Sequence, residues 1–384
     1  MIINIFGSTG IIGSKTLLIL KKYFPEIKIN LLVANNNYKK LIYQVKIFKP
    51  KYIYLQDESK SQILKKNINQ KTIVFNFNEL KAYLKTSKSD YSILAISGFR
   101  SLNYLELILD NTASLGLVSK EAIVSAGHLF RKYKKKIINK IYPLDSEHFS
   151  IFKTLHSYDN NKLESLTITA SGGPFFGQKF LELKDVSFSS ASKHPMWKMG
   201  YKNSIDSATL VNKCLEIVEA HYLFGISYDK IRVLIHPEAK VHSILEFKNF
   251  LYNMTLFYND MTIPIYHFLN QNFNYKLKSD IFNFHRLDRN SLNFYKVKKN
   301  EFPILKFFNS LDKNDPSNVI KFNVANEYAV NLFKKNQIKY TEIFNFIKKI
   351  TSLNWNSNLK NINDIIYFHE QLEQQITCKI KNFV

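Results

Sequence analysis

Residues 2–20, IINIFGSTGIIGSKTLLIL, decide the fold. A short apolar run, Ile2 to Phe6, leads straight into Gly7-Ser8-Thr9-Gly10-Ile11-Ile12-Gly13, and a helical pattern then continues through Leu20. Strand, glycine turn, helix is the context of a dinucleotide-binding turn. Glycines let the backbone bend tightly and approach a pyrophosphate, and the helix N-terminus offers oriented N–H groups. The spacing is Gly-x-x-Gly-x-x-Gly, so the motif counts only because of what flanks it.

Working outward, Ile27 to Ala34 reads as a second strand that ends in Asn35-Asn36-Asn37. An NAD site usually carries Asp or Glu there for the ribose hydroxyls. No acid stands here to repel a 2′-phosphate, and Lys39 and Lys40 follow closely, which tilts the choice toward NADP. Further apolar runs at Tyr52 to Leu55, Thr72 to Phe75, Tyr91 to Ile96 and Leu115 to Val118 alternate with helical stretches. Residues 1–140 are therefore expected to form a doubly wound, Rossmann-like α/β domain with ligands beyond the carboxyl ends of its strands. Ser119-Lys120-Glu121 stands at one such end, either as part of a site or as a helix start with Ser119 as its cap.

Residues 141–269 read as a central α+β domain. Asp145 and Glu147 in PLDSEH stand at i and i+2, so an extended segment would send both carboxylates from one face. In HPMWKMGYKNSIDSATLVNKCLE, from His194 to Glu216, helical spacing puts Thr209, Asn212, Lys213, Glu216 and Glu219 on one stripe, with Leu210, Leu215 and Val218 elsewhere. Such a stripe is ordinarily a solvated face. Its alternative here is a site: a hard divalent cation takes several oxygen ligands, and Asp145, Glu147 and Glu216 would supply three while Lys213 offers a phosphate a point charge. Pro195, Trp197 and Met199, among glycine and basic residues, suit a mobile cover. Ser171-Gly172-Gly173-Pro174 is either an ordinary turn or an anion cradle of backbone N–H groups. Leu163 to Ala170, Arg232 to His236, Val241 to Phe247 and Met254 to Tyr258 are expected to form a four-stranded sheet carrying the site. Residues 270–302 read as a connecting segment and 303–384 as a C-terminal helical bundle, in which Asn323 to Glu327 opens one helix.

The chain of 384 residues exceeds one ordinary domain. No apolar run approaches the roughly 18 residues that span a bilayer, and no signal or transit peptide is read at the N-terminus. Two cysteines, Cys214 and Cys378, support neither a disulfide framework nor a thiolate metal site, and Cys214 reads as a small packing residue. The net charge of +23 and the run Arg131 to Lys136 (RKYKKK) raise the possibility of nucleic acid. Lysine, however, is spread along the chain with abundant Asn, Ile, Tyr and Phe and only 11 glycines, the residue set of A/T-rich codons. No nucleic-acid-binding motif accompanies it.

With those residues in hand the chain resembles the 1-deoxy-D-xylulose 5-phosphate reductoisomerase family. The likeness runs through GSTGIIG, VSKEAIVSAG, PLDSEHFSIF, TASGGPF, HPMWKMG, SIDSATLVNKCLEIVEA, IHPEAKVHSILEF and NVANEYAV, in the family's order and spacing over nearly the whole chain. The resemblance implies NADPH-dependent isomerisation and reduction of 1-deoxy-D-xylulose 5-phosphate to 2-C-methyl-D-erythritol 4-phosphate, in isoprenoid precursor synthesis. It implies Mg²⁺ or Mn²⁺ on Asp145, Glu147 and Glu216. The substrate phosphate would meet Ser171, Ser207, Asn212 and Lys213 with His194 beside it, Ser146 would meet the sugar backbone, and Trp197 and Met199 would belong to the cover. Gly7, Thr9, Gly10, Ile11 and Ile12 would face the cofactor phosphates, Lys120 and Glu121 the nicotinamide-side ribose, and Ser8, Asn36, Asn37, Ser119 and Gly200 complete the implied cofactor set. A homodimer is implied, in a bacterial cytoplasm, that of an A/T-rich endosymbiont included, or a plastid-like stroma. The family commonly has Asn at Ser119, a hydroxyl residue at Ile11, a basic residue near Asn36 and Arg at Tyr201, so NADPH is expected to be preferred over NADH by a reduced margin. The competing readings are another dehydrogenase of a phosphorylated sugar, which needs no metal-binding carboxylates, a basic nucleic-acid-binding protein, and a catalytically retired relative.

Overall fold

The computed structural model describes residues 1–68, 71–132, 139–156, 162–197, 199–276, 291–355 and 358–379. The chain divides into two compact units, neither of them contiguous. The first comprises 1–119, 134–145 and 260–282, and the second 120–133, 146–259 and 283–384. Residues 133–136 of RKYKKK and residues 277–290 of the expected connecting segment lie outside the described residues.

The first unit is built on seven strands: β1 (Ile2–Phe6), β2 (Lys28–Ala34), β3 (Tyr52–Leu55), β4 (Ile73–Phe75), β5 (Ser89–Leu94), β6 (Thr112–Leu117) and β7 (Ile141–Pro143). Their order is β4-β3-β2-β1-β5-β6-β7, and every neighbouring pair is parallel. Such strands are covered on both faces, which is why they read as continuous apolar runs rather than alternating ones. The order reverses between β1 and β5, so the switch-point crevice opens beside the glycine turn. The N–H groups of Gly7 and Ser8 both donate to the Val33 carbonyl at 2.9 Å. Gly7 has φ +89°, and a Cβ there would lie 2.4 Å from the Ala95 carbonyl oxygen; one at Gly13 would lie 2.3 Å from the Gly7 oxygen. These two glycines let β1, β5 and the helix Ile11–Tyr23 meet.

Two pieces of this unit escaped the sequence reading. β7 is only three residues long, too short to display a period. The helix Thr262–Leu269, assigned from sequence to the central block, packs here: every residue but His267 is buried, and the Phe268 ring lies 5.4 Å from Tyr91 and 5.5 Å from Tyr142. A helix that is apolar nearly all round needs cover on every side, and Gly116 makes room for Phe268 on the β6 side.

The second unit holds β8 (Leu163–Ala170), β9 (Ile231–Ile235), β10 (Val241–Phe247), β11 (Tyr252–Leu256) and β12 (Tyr295–Lys296) in the order β11-β10-β8-β9-β12. The four expected strands are present, and β12 adds a fifth at the edge, antiparallel to β9. Two residues give no alternation to read. His236 and Glu238 hold this return in place: His236 Nδ1 lies 2.8 Å from the Asn293 carbonyl, and Asn293 Nδ2 donates to Glu238 at 2.6 Å. The C-terminal helices are Pro303–Ser310, Pro316–Lys334, Glu342–Thr351 and Ile362–Lys379. Asn323 to Glu327 do not open a helix. Asp315 caps one at Ser317 N with Pro316 in its first turn, so those residues fall mid-helix, and Asn323 and Asn326 are buried.

Candidate active site

In the first unit the turn 7–13 presents Thr9, Gly10 and Ile11 at the surface, with Ile11 56% exposed at the helix start. Ser8 lies inside the turn, fully buried, and its carbonyl accepts from Gln44 Nε2 at 2.8 Å and Ser14 Oγ at 3.2 Å. Asn37 caps the helix Tyr38–Phe48, its side-chain oxygen accepting from Lys40 N at 3.1 Å. That oxygen is therefore engaged, whereas Asn36 is exposed. Ser119 ends this unit, and its hydroxyl donates to Ser101 Oγ at 3.0 Å. Asp145 is the unit's last residue in that segment, one peptide bond before Ser146.

In the second unit, Ser146 and Glu147 open the helix Ser146–Leu155. Glu147 is thus helical, and the extended geometry expected from the i, i+2 spacing does not hold. The run from Tyr201 is likewise not one helix. Tyr201–Thr209 ends and Val211–Phe224 begins at Leu210, which adopts φ +64°. Leu210 is 1% exposed, so its apolar burial accompanies a left-handed conformation that β-carbon sterics ordinarily disfavour. Nor is the polar stripe a solvated face: Lys213, Glu216 and Glu219 are 5%, 0% and 1% exposed.

Buried charges demand partners, and these have them. Lys213 Nζ donates to Glu147 Oε1 and, at 2.7 Å, to Glu216 Oε2. Glu216 Oε1 accepts from Lys120 Nζ at 3.1 Å and from Asn212 Nδ2. Ser146 Oγ donates to Glu147 Oε2 at 2.5 Å. His148 supports the cluster from behind, its Nε2 3.0 Å from the Glu216 carbonyl and its Nδ1 3.5 Å from Glu219. Burial opposes the charge on Lys213, but Glu147 and Glu216 outweigh it and hold the ammonium protonated above its ordinary range.

A second polar group adjoins the turn after β8. Gly172 and Gly173 have φ +82° and +68°, and a Cβ at Gly173 would meet the Ala208 backbone at 2.7 Å and the Ser207 carbonyl at 3.1 Å. The turn is therefore pressed onto the end of helix Tyr201–Thr209, which brings the Ser171 and Ser207 segments together. Ser171 Oγ lies 2.9 Å from His194 Nε2. His194 Nδ1 accepts the backbone N–H groups of Met196 at 3.1 Å and Trp197 at 2.9 Å, so its proton sits on Nε2 and is donated to Ser171. Burial, with Lys213 nearby, pushes this imidazole down to about 4, so it is neutral at physiological pH. Met199 and Gly200 complete the stretch, which reads HPMWKMG, with Lys198 outside the described residues.

Sequence reading missed a third group. Lys202 Nζ donates to Asp206 Oδ2 at 2.8 Å and Glu121 Oε1 at 3.4 Å, and Asp206 Oδ1 accepts from Asn326 Nδ2 at 2.8 Å. Glu327 faces the same lysine. Its signal in the sequence was only the i, i+4 pair Lys202–Asp206, a spacing common on exposed helices. Burial raises the Glu327 pKa to about 7, reinforced by Glu121 and Asp206 and opposed by Lys202. A carboxyl whose folded pKa lies above its unfolded value of 4.5 contributes stability fully below 4.5 and loses it as pH rises through about 7. Thermal melts across this window are expected to show the wild type falling relative to Glu327→Gln, with the variant more stable at pH 8. Parallel curves would contradict the burial of an ionising carboxylate there.

A parallel sheet with a glycine turn at its switch point, together with a unit of buried carboxylates, lysines and a glycine-serine turn, is the pattern of a nicotinamide-dependent oxidoreductase of a phosphorylated substrate. Three family models match the chain: 1-deoxy-D-xylulose 5-phosphate reductoisomerase over residues 3–127, its C-terminal domain over 141–224, and the DXP reductoisomerase C-terminal domain over 256–375. The chain belongs to the 1-deoxy-D-xylulose 5-phosphate reductoisomerase family. It is 40% identical over 351 residues to the reductoisomerase of Pelagibacter ubique (strain HTCC1062), covering 91% of this chain and 90% of that one. It is 35% identical over 372 residues to that of Wolbachia sp. subsp. Drosophila simulans (strain wRi), covering 95% and 94%. Among solved structures it is similar to a DOX-P reductoisomerase in complex with NADPH, fosmidomycin and magnesium, with TM-score 0.89, 27% identity and coverage of 99% and 98%. The Zymomonas mobilis enzyme in complex with NADPH matches with TM-score 0.85, 27% identity and 97% coverage of each chain.

Proposed function

We propose that the chain converts 1-deoxy-D-xylulose 5-phosphate to 2-C-methyl-D-erythritol 4-phosphate with NADPH and a divalent cation, and that Glu147 and Glu216, with Asp145 two residues before Glu147, hold the cation. The observation that carries this is Lys213: a buried ammonium shared between two carboxylates, one of them fully buried. Oxygen donors already gathered around a positive charge are the set that Mg²⁺ or Mn²⁺ takes. When bound, the cation supplies Lewis-acid polarisation of substrate oxygens and NADPH supplies the hydride.

The chain's own residues bind and orient. Lys213 and Asn212 offer donors to the phosphate, beside Ser171, Ser207 and the Gly172-Gly173 turn. Neutral His194 keeps Ser171 in place through its Nε2 proton while its Nδ1 gathers the backbone of Met196 and Trp197. Binding at the phosphate end is thereby coupled to the stretch carrying Trp197 and Met199, which serves as the cover that excludes water. Lys120 and Glu121 meet the cofactor ribose, and residues 7–12 its phosphates.

The test uses purified protein with 1-deoxy-D-xylulose 5-phosphate, NADPH and Mg²⁺ or Mn²⁺, following loss of nicotinamide absorbance. Activity is expected to vanish with chelator and to return with added metal. Chelator-insensitive turnover would point instead to a dehydrogenase that uses no metal. NADPH is expected to outperform NADH in kcat/KM by a narrow margin, because Asn36 and Tyr201 stand where basic residues are common in the family and the Asn37 oxygen is engaged as a helix cap. Equal or better use of NADH would reject that preference.

A homodimer is the assembly we infer. β11 exposes Tyr252 at 59%, Met254 at 44% and Leu256 at 38%, next to Phe250 at 87% and Leu251 at 54%. An apolar strand face of this kind is ordinarily covered. We place the protein in the cytoplasm; among the described residues no helix is long and apolar enough to cross a membrane.

A further inference from the structure

The stretch 194–200 is tied down at both ends. At one end His194 binds Ser171, in the phosphate cradle. At the other, Gly200 caps helix Tyr201–Thr209, and Lys202 in its first turn reaches across to a different helix, Lys120–Lys132. We propose that Lys202 is a positioning residue: it ties the base of the cover to Glu121 and aims that carboxylate at the hydroxyls of the cofactor ribose. The inference rests on the cofactor reading above, which places Glu121 at the ribose.

The geometry explains why a lysine is needed. Glu121 is 7% exposed and Asp206 2%, and each comes from a separate helix. With Glu327 beside them, three acids surround one ammonium. Burial works against the Glu121 charge, and Lys202 is the leading influence that holds it ionised, below its ordinary carboxylate range. An ionised carboxylate accepts from a pair of ribose hydroxyls, whereas a protonated one would offer a donor in their place. Asp206 in turn is fixed by Asn326 of helix Pro316–Lys334. The ammonium is thereby held from below by Asp206 and presented to Glu121 on its other side.

The test measures NADPH affinity of the full-length protein by nicotinamide fluorescence, together with KM and kcat. Lys202→Met is expected to weaken NADPH binding by about 10-fold or more, the scale of one lost charge-assisted hydrogen bond, and to raise KM for NADPH more than it lowers kcat. Lys202→Arg is expected to recover most of the affinity. Asp206→Asn keeps the Lys202–Glu121 pair but loosens the ammonium's nearer anchor, so it is expected to weaken NADPH binding clearly less than Lys202→Met does, even if its melting temperature falls. An unchanged affinity in Lys202→Met overturns the inference. So does a loss in Asp206→Asn equal to that in Lys202→Met, which would mark the network as scaffold only. Should Lys202→Met not fold, the comparison of Lys202→Arg with Asp206→Asn decides on the same terms. A wild type that binds no NADPH sinks the functional reading itself, a result distinct from all of these.

Discussion

Glu216→Gln is expected to lower metal-dependent turnover by about 10²–10³-fold or more, the scale on which removing one preorganised charge contact at the reacting atoms acts. The side chain keeps its size, so packing survives while charge is lost. Glu216 does more than offer one ligand oxygen: it is fully buried, and its two oxygens accept from Lys213, Lys120 and Asn212. The amide puts an N–H₂ toward at least one of those donors, leaving the buried Lys213 ammonium and the partly buried Lys120 ammonium with less negative charge to face. The cation is expected to bind more weakly, so raising Mn²⁺ recovers part of the rate. Steady-state kinetics against metal concentration read both effects. A near-normal rate at ordinary metal concentration removes Glu216 from the site and with it the proposed ligand set.

Gly13→Ala has the second largest expected effect. In a helix interior alanine ordinarily stabilises relative to glycine by about 1 kcal/mol. Here the added methyl would meet the Gly7 oxygen at 2.3 Å, Ser8 Cα at 2.6 Å and the Gly7 carbonyl carbon at 2.9 Å, all of them backbone. No rotamer change relieves such a contact, so the helix must back away from the turn. Overpacking costs about 1–3 kcal/mol and outweighs the propensity gain. Melting temperature is expected to fall and KM for NADPH to rise together, because the displaced turn is the one read as the pyrophosphate seat. Gly200 supplies the contrast: nothing lies within 4 Å of a Cβ there, so Gly200→Ala is expected to melt like the wild type. Unchanged stability and KM in Gly13→Ala would show that the turn does not need its close approach.

Six of the first sheet's seven strands, the glycine turn and the order of the site segments were legible in the sequence alone, because each is local. Both-face burial writes a strand as an apolar run, and a turn that admits no Cβ writes itself as glycine. Which polar residues leave water became visible only in the folded chain. Helical spacing put Lys213, Glu216 and Glu219 on one stripe, but spacing defines a face and is silent on what covers it, so a buried charge cluster and a solvated surface share one pattern. The left-handed break at Leu210 and the helical placement of Glu147 were equally hidden, since neither residue type announces the conformation it adopts. β7, β12 and the return of Thr262–Leu269 to the first sheet depended on partners far away in sequence, as did the meeting of Lys202 with Glu121. Those contacts exist because buried apolar faces and buried charges must find complements, and the complements come from wherever the folded chain brings them.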